Sequence, residues 1–171
     1  TTSPMVAIQL DSNETGKSMN DLLASGYIDA ILGSRRPESL SQHPDVVRLF
    51  PNYREIERDF YRRTRIHPIM HVIAIRQDIY EKDPWIAASL YQAFDAAKNW
   101  ALDRLRISNA QHSMLPFMFA DMDEVDELFD GDPWPYGIEP NRPTLEALVR
   151  HLREQHFITE APHIEELFVP V

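Results

Sequence analysis

The sequence contains no cysteine. Disulfide frameworks, zinc–thiolate centres and thiol nucleophiles are therefore excluded, while the redox compartment stays unread. No apolar run approaches the ~20 residues that a membrane-crossing helix requires. The opening T-T-S-P-M has neither the charged nor the apolar part of a secretory leader. It also lacks an initiator methionine, so the chain is read as a piece of something longer. Basic residues are scarce, 17 Lys and Arg against 27 Asp and Glu, for a net charge of -10. Nucleic-acid and anionic-membrane surfaces need a basic face, so neither is an expected partner. A local basic pocket for a small anion remains compatible with this balance. Internal repeats and low-complexity tracts are also missing.

What is present suffices for folding. At 171 residues and 43% hydrophobic, the chain can build a core as one domain or two small lobes. Met5–Leu10 is a short apolar run of strand character. Gly16-Lys17-Ser18 follows it and invites comparison with a phosphate-binding loop. That motif needs a glycine where Asp11 stands, and Glu14 adds a second charge repelling phosphate. A polar turn with Ser18 or Asn20 capping a helix is the better reading. The helix runs over Ser18–Ser25 with Met19, Leu22 and Leu23 on one side, and Gly26 stops it. Tyr27–Leu32 reads as a strand ending in Gly33-Ser34-Arg35-Arg36. Ligands of open α/β sheets bind beyond the carboxyl ends of strands, which makes Arg35 and Arg36 candidate anion-binding residues. Solvated loop arginines are the competing reading.

Pro37–Asp45 reads as loop, Val46–Phe50 as a short strand, and Asn52–Arg65 as a helix. Arg54, Arg58 and Arg62 share one face of that helix, and Arg63 and Arg65 follow. This row is either an ion-paired solvated face or a device that delivers guanidinium forks to an anion. Thr64–Ile75, T-R-I-H-P-I-M-H-V-I-A-I, is the strongest strand candidate, rich in Ile and Val. Its two histidines, His67 and His71, would lie roughly 13 Å apart on a strand at ~3.3 Å per residue, too far to chelate one metal. Asp83 and Pro84 open a long helix to about Arg106. Its expected core stripe is Trp85, Ile86, Leu90, Ala93, Phe94, Ala97, Ala101 and Leu105. Ser108–Ser113 reads as a turn. Asp121–Asp132 reads as an amphipathic helix with Met122, Val125, Leu128 and Phe129 inward, since it lacks the pattern of an EF-hand loop. Asp132–Pro143 must be an ordered loop holding Trp134 and Tyr136. Asn141 caps a last helix, Thr144–Gln155, with Leu145, Leu148, Val149 and Leu152 inward.

The helix-glycine-strand unit L-L-A-S-G-Y-I-D-A-I-L, with R-Q-D-I-Y-E-K-D-P-W-I-A-A-S-L-Y-Q-A-F, resembles the second half of a type II periplasmic-binding-protein fold. More specifically, three stretches resemble the 4,5-dihydroxyphthalate decarboxylase family. They are S-R-R-P-E-S, L-F-P-N-Y-R-E-I-E-R-D-F-Y-R-R-T-R-I-H-P-I-M-H-V and W-P-Y-G-I-E-P-N-R-P-T-L-E. The resemblance implies an α/β, two-lobed fold present in part. Residues 1–66 would end lobe two, and 67–171 would be the returning part of lobe one. It implies a cytoplasmic carboxy-lyase that converts 4,5-dihydroxyphthalate to 3,4-dihydroxybenzoate and carbon dioxide. Arg65 and His67 depart from the smaller or apolar residues expected before Pro68, which moves His67 toward a structural role.

The implied chemistry needs cations for two adjacent carboxylates, an acid for the ring carbon and a base near the phenols. Arg35 or Arg36, Arg63 and His71 are the expected residues, with His71 and Arg63 catalytic. Tyr136 and Glu139 are weaker candidates for the catechol hydroxyls. No organic cofactor is required, and no ligand spacing supports a divalent metal at His71 and a carboxylate. The expected partner is a small aromatic carboxylate, and a truncated lobe is expected to self-associate through exposed apolar surface. The competing readings are a non-catalytic clamp for a small organic anion and a binding module for another aromatic or sulfonate compound, since fold does not fix function.

Overall fold

The structure is a computed structural model that describes residue 9, residues 11–106 and residues 114–171. The described residues form helices and no strand, which corrects the expected α/β architecture. Tyr27–Leu32, Val46–Phe50 and Ile69–Ile75 all lie outside regular structure. The physical reason is that β-branched composition describes fitness for a pleated, half-buried surface and does not create one. A strand needs a neighbouring strand for its N–H and C=O groups; among the described residues Tyr27 and Ile28 bond back to Leu22 and Val46 to His43, as turns do, and Ile69–Ile75 makes no backbone bond. The strand reading of Met5–Leu10, Gln9 aside, and the turn at Ser108–Ser113 lie outside the described residues.

Two compact units divide the chain, one reaching to Glu57 and one holding Arg58–Val171. In the first, α1 (Met19–Ala24) starts at a reciprocal cap. Ser18 Oγ accepts from the Asp21 N–H at 3.1 Å, and the Asp21 carboxylate accepts from the Ser18 N–H at 3.3 Å. Thus Gly16-Lys17-Ser18 is a helix entry, and its turn is closed by Asn13 Oδ1 accepting from the Thr15 N–H. Leu22 is buried, but Met19 is half exposed. The stretch expected to be loop contains a short helix, α2 (Ser39–Gln42). It is tied to α1 by Asn20 Oδ1, which accepts from the Ser39 N–H at 2.8 Å. The boundary between the units falls within α3 (Tyr53–Thr64).

The second unit continues with α4 (Gln77–Lys82), α5 (Trp85–Arg106), α6 (Met118–Phe129), α7 (Ile138–Glu154) and a 3-10 turn at Ile164–Leu167. Helix α5 packs on α6 and α4, and α7 packs on the 3-10 turn. Its core is thin: Ala87, Leu102, Met118, Met122, Leu145, Ala147 and Ile164 are buried. Of the expected α5 stripe, Ile86, Leu90 and Leu105 are half-buried, and Ala87, Tyr91, Asp95, Lys98 and Leu102 form a buried to half-buried line beside them. The rest of that stripe, Trp85, Ala93, Phe94, Ala97 and Ala101, is exposed. On α7, Ala147 is buried where Leu148 was expected to be.

Helix α7 also starts earlier than the prolines suggested. Pro140 sits in its first turn, where the N–H has no intrahelical partner to lose. Pro143 lies inside the helix. Gly137 precedes it at φ 97°, a conformation open to glycine and costly for other residues. Among the described residues no helix is long and apolar enough to cross a membrane.

Candidate functional site

The best-organised region of the second unit surrounds the loop between α6 and α7. Its foundation is a row of ion pairs between α3 and α6. Arg58 meets Glu124 at 3.1 Å, Arg62 meets Glu127 at 3.2 Å, and Arg65 meets Asp130 at 3.4 Å. Partners advance in the same sense on both helices, so the arginine row and the acidic helix read from the sequence answer each other. Arg65 ends α3 in the left-handed region at φ 56°, and its guanidinium lies over the Tyr61 ring at 5.0 Å. Asp130 and Gly131 end α6 in the same region. Both helices thus turn sharply at neighbouring points.

Between these ends sits His67, half-buried among rings. Its centroid is 4.9 Å from Trp134, 5.0 Å from Phe129 and 6.2 Å from Tyr61. Thr144 on α7 holds its backbone from both sides. The hydroxyl oxygen accepts from the His67 N–H at 3.1 Å, and the hydroxyl donates to the His67 carbonyl at 3.2 Å.

Helix α5 secures the loop itself through two cations. Lys98, only 10% exposed, donates to Asp132 at 2.6 Å, pairs with Asp95 at 2.9 Å and lies 4.9 Å over the Tyr136 ring. Partial burial opposes its charge, yet the bonds to Asp132 and then Asp95 outweigh that and hold its pKa above the ordinary lysine value. Arg106 grips Asp126 at 2.6 Å and donates to the Gly131 carbonyl. Asn141 donates from its side chain to the Pro135 and Gly137 carbonyls, at 2.6 and 2.9 Å. Tyr136 also meets Tyr91 edge-on at 6.0 Å.

The residues expected at the site fall as follows. Arg63 and His71 are both exposed in the second unit, and their side chains make no hydrogen bond or ion pair among the described residues. No contact joins them. Tyr136 is half-buried under Lys98. Glu139 is exposed but engaged by Arg142 at 2.6 Å, and Arg142 also binds Glu165 at 2.6 Å. Hydrogen bonds from that guanidinium hold both carboxyls below their ordinary values. Arg35 and Arg36 are exposed in the first unit.

Sequence reasoning did not find Lys98, which looked like an ordinary helix-surface lysine, or Thr144. It also set His67 aside, and the rings around it come from positions 61, 129 and 134, which no local pattern connects. Among the described residues, no cluster of three or more metal-ligating side chains occurs. One cavity of about 510 Å³ lies along α7, lined by Glu146, Arg150, Arg153 and Glu154 among others. Another, of about 700 Å³, opens in the first unit beside Asp11–Thr15. None of the expected site residues lines either.

No family model matches the sequence. The 4,5-dihydroxyphthalate decarboxylase of Comamonas testosteroni is 29% identical over 164 residues, covering 95% of this chain and 50% of that protein. The chain is a family-level relative of this decarboxylase. The resemblance read from the three quoted stretches is therefore borne out at that level. The chain spans about half the length of the curated relative it matches.

Proposed function

We propose that the protein takes part in removing one carboxylate from a dihydroxylated aromatic dicarboxylate, 4,5-dihydroxyphthalate, to give 3,4-dihydroxybenzoate and carbon dioxide. The observation that carries this reading is the match to the Comamonas testosteroni decarboxylase over 95% of the chain. The chemistry suits the residues. A proton is delivered to the ring carbon that bears the leaving carboxylate, and the para hydroxyl oxygen stabilises the resulting cation. The carbon–carbon bond then breaks, its electron pair restores the aromatic ring, and carbon dioxide departs.

In this reading Arg63 holds a carboxylate with its unengaged guanidinium fork. His71 delivers the proton, a role imidazole fills near neutral pH. Tyr136 lies against a catechol hydroxyl. Glu139 serves the site only if Arg142 releases it, so it is the weakest of the assigned residues.

The test is carbon dioxide release from 4,5-dihydroxyphthalate, measured on the product of the longest reading frame that contains this sequence. Turnover is expected, and His71→Ala is expected to lower it by roughly 10²–10⁴-fold with substrate affinity largely kept. Tight binding of the diacid with no carbon dioxide released would falsify the proposal.

A further inference from the structure

Tyr91 on α5 and Tyr136 on the loop before α7 are each half-buried, and their rings meet edge-on at 6.0 Å. A tyrosine hydroxyl drawn out of water ordinarily finds a hydrogen-bond partner. Neither of these two has one among the described residues. Both are nevertheless held in place. Lys98 lies over the Tyr136 ring at 4.9 Å, and Asn141 donates to the carbonyls on either side of that residue, Pro135 at 2.6 Å and Gly137 at 2.9 Å. Tyr91 is carried by the regular helix α5. Gly137 keeps the space beside its hydroxyl open, since a Cβ added there would stand 3.4 Å from the Tyr91 oxygen. The local charge decides what these oxygens can take. Lys98 is answered by two carboxylates, Asp95 at 2.9 Å and Asp132 at 2.6 Å, and one cation against two anions leaves one net negative charge. That charge repels a carboxylate and leaves an uncharged hydroxyl untouched.

We infer that Tyr91 and Tyr136 form a two-phenol seat for the adjacent hydroxyls of a catechol ring. The ligand class rests on the decarboxylase reading above, while the seat rests on the two unpartnered, anchored phenols. Each phenol donates one hydrogen bond and accepts another, so the pair matches two vicinal hydroxyls that do the same. The carboxylate end of the ligand is turned away by Asp95 and Asp132, so the seat also fixes which end of the molecule enters. The anchoring has a purpose in this arrangement, because a hydrogen-bonding group already locked by its surroundings loses little freedom when it binds. Lys98 and Asn141 are then positioning residues that act through Tyr136.

The experiment uses the product of the longest reading frame that contains this sequence. Calorimetry measures its affinity for 3,4-dihydroxybenzoate and for benzoate, which differ only in the two hydroxyls. The wild-type protein is expected to prefer the dihydroxy compound. Tyr91→Phe and Tyr136→Phe each remove one oxygen. Each is expected to weaken 3,4-dihydroxybenzoate binding by roughly 3–10-fold, the range that one hydrogen bond commands, with benzoate unchanged. A general disturbance of the loop would weaken both ligands alike. The inference is overturned if either variant keeps the full preference, if both ligands weaken together, or if the wild type shows no preference. Carbon dioxide release from 4,5-dihydroxyphthalate is followed in the same preparations. Preference lost in both variants, with no turnover by the wild type, would count against decarboxylation and leave the seat standing. Turnover by the wild type, with preference intact in the variants, would remove the seat and leave decarboxylation.

Discussion

At the scale of the residue, Lys98 decides more than any side chain singled out from the sequence. It is the nearly buried cation that ties the loop of Trp134 and Tyr136 to α5, through Asp132 and beside Asp95. Lys98→Met would keep the stem but leave two carboxylates facing each other without their cation. A loss of about 1–3 kcal/mol in urea unfolding is expected, the cost of stranding partly buried charges. The sign of the pH dependence follows from its raised pKa. The contribution is present in full below the ordinary lysine value and is lost as pH rises through the higher folded value. Wild type and Lys98→Met should therefore converge in stability at strongly alkaline pH. A gap that widened there would contradict the assignment. His67 and His71 make the complementary point, because the histidine that looked less useful is the one packed by three rings. Exposure could not be read from Thr64–Ile75, where strand alternation places both histidines on the same face.

At the scale of the element, the arginines of α3 and the acids of α6 explain each other. Composition had shown an arginine row and a separate acidic helix, each with a solvated reading. Their pairing over Arg58–Glu124, Arg62–Glu127 and Arg65–Asp130 sets two helices in register. Exposed pairs contribute little, about 0–1 kcal/mol each, because solvent screens them and ordering two long side chains costs entropy. The first rung is the most sheltered, with side chains 32% and 21% exposed, against 53% and 85% for the last. Glu124→Gln is accordingly expected to lower the urea midpoint by the equivalent of roughly 1 kcal/mol, and Asp130→Asn by less than about 0.5 kcal/mol. Equal effects, or the reverse order, would show that the rungs do not differ by burial. Helix existence was legible for α1, α3, α5, α6 and α7, because caps and 3.6-residue spacing are local. Boundaries were less so. Prolines pushed the expected start of α7 to Thr144, whereas the helix begins at Ile138: Pro140 costs nothing in the first turn, and Pro143 is carried inside the helix.

At the scale of the whole molecule, the described residues bury few large side chains, and Leu32, Val47, Leu49, Val72, Trp85 and Trp100 stand exposed. The denaturant sensitivity of a protein follows the surface that unfolding uncovers. The isolated chain is therefore expected to unfold in urea with a slope below about 1 kcal/mol/M, under the ordinary range for small proteins. A slope of ordinary size would mean that the apolar stretches are covered in solution. This thin burial is also why the α/β expectation failed while the family resemblance held. Resemblance rests on side-chain identity along the chain, which does not depend on how the chain folds. A sheet rests on partners for every edge.

The sequence by itself determined the absence of thiol chemistry, the acidic balance, the position of most helices and the kinship with the decarboxylase. Each of these is a property of residue type or of contacts within a few residues. Only the tertiary structure decided that the Ile- and Val-rich stretches stand unpaired, and that α5 buries a line through Lys98 instead of its alanine and phenylalanine face. It also decided that Glu139 is held by Arg142 and that His67, not His71, is enclosed. These outcomes depend on which distant residues arrive opposite, and neither spacing nor composition encodes that.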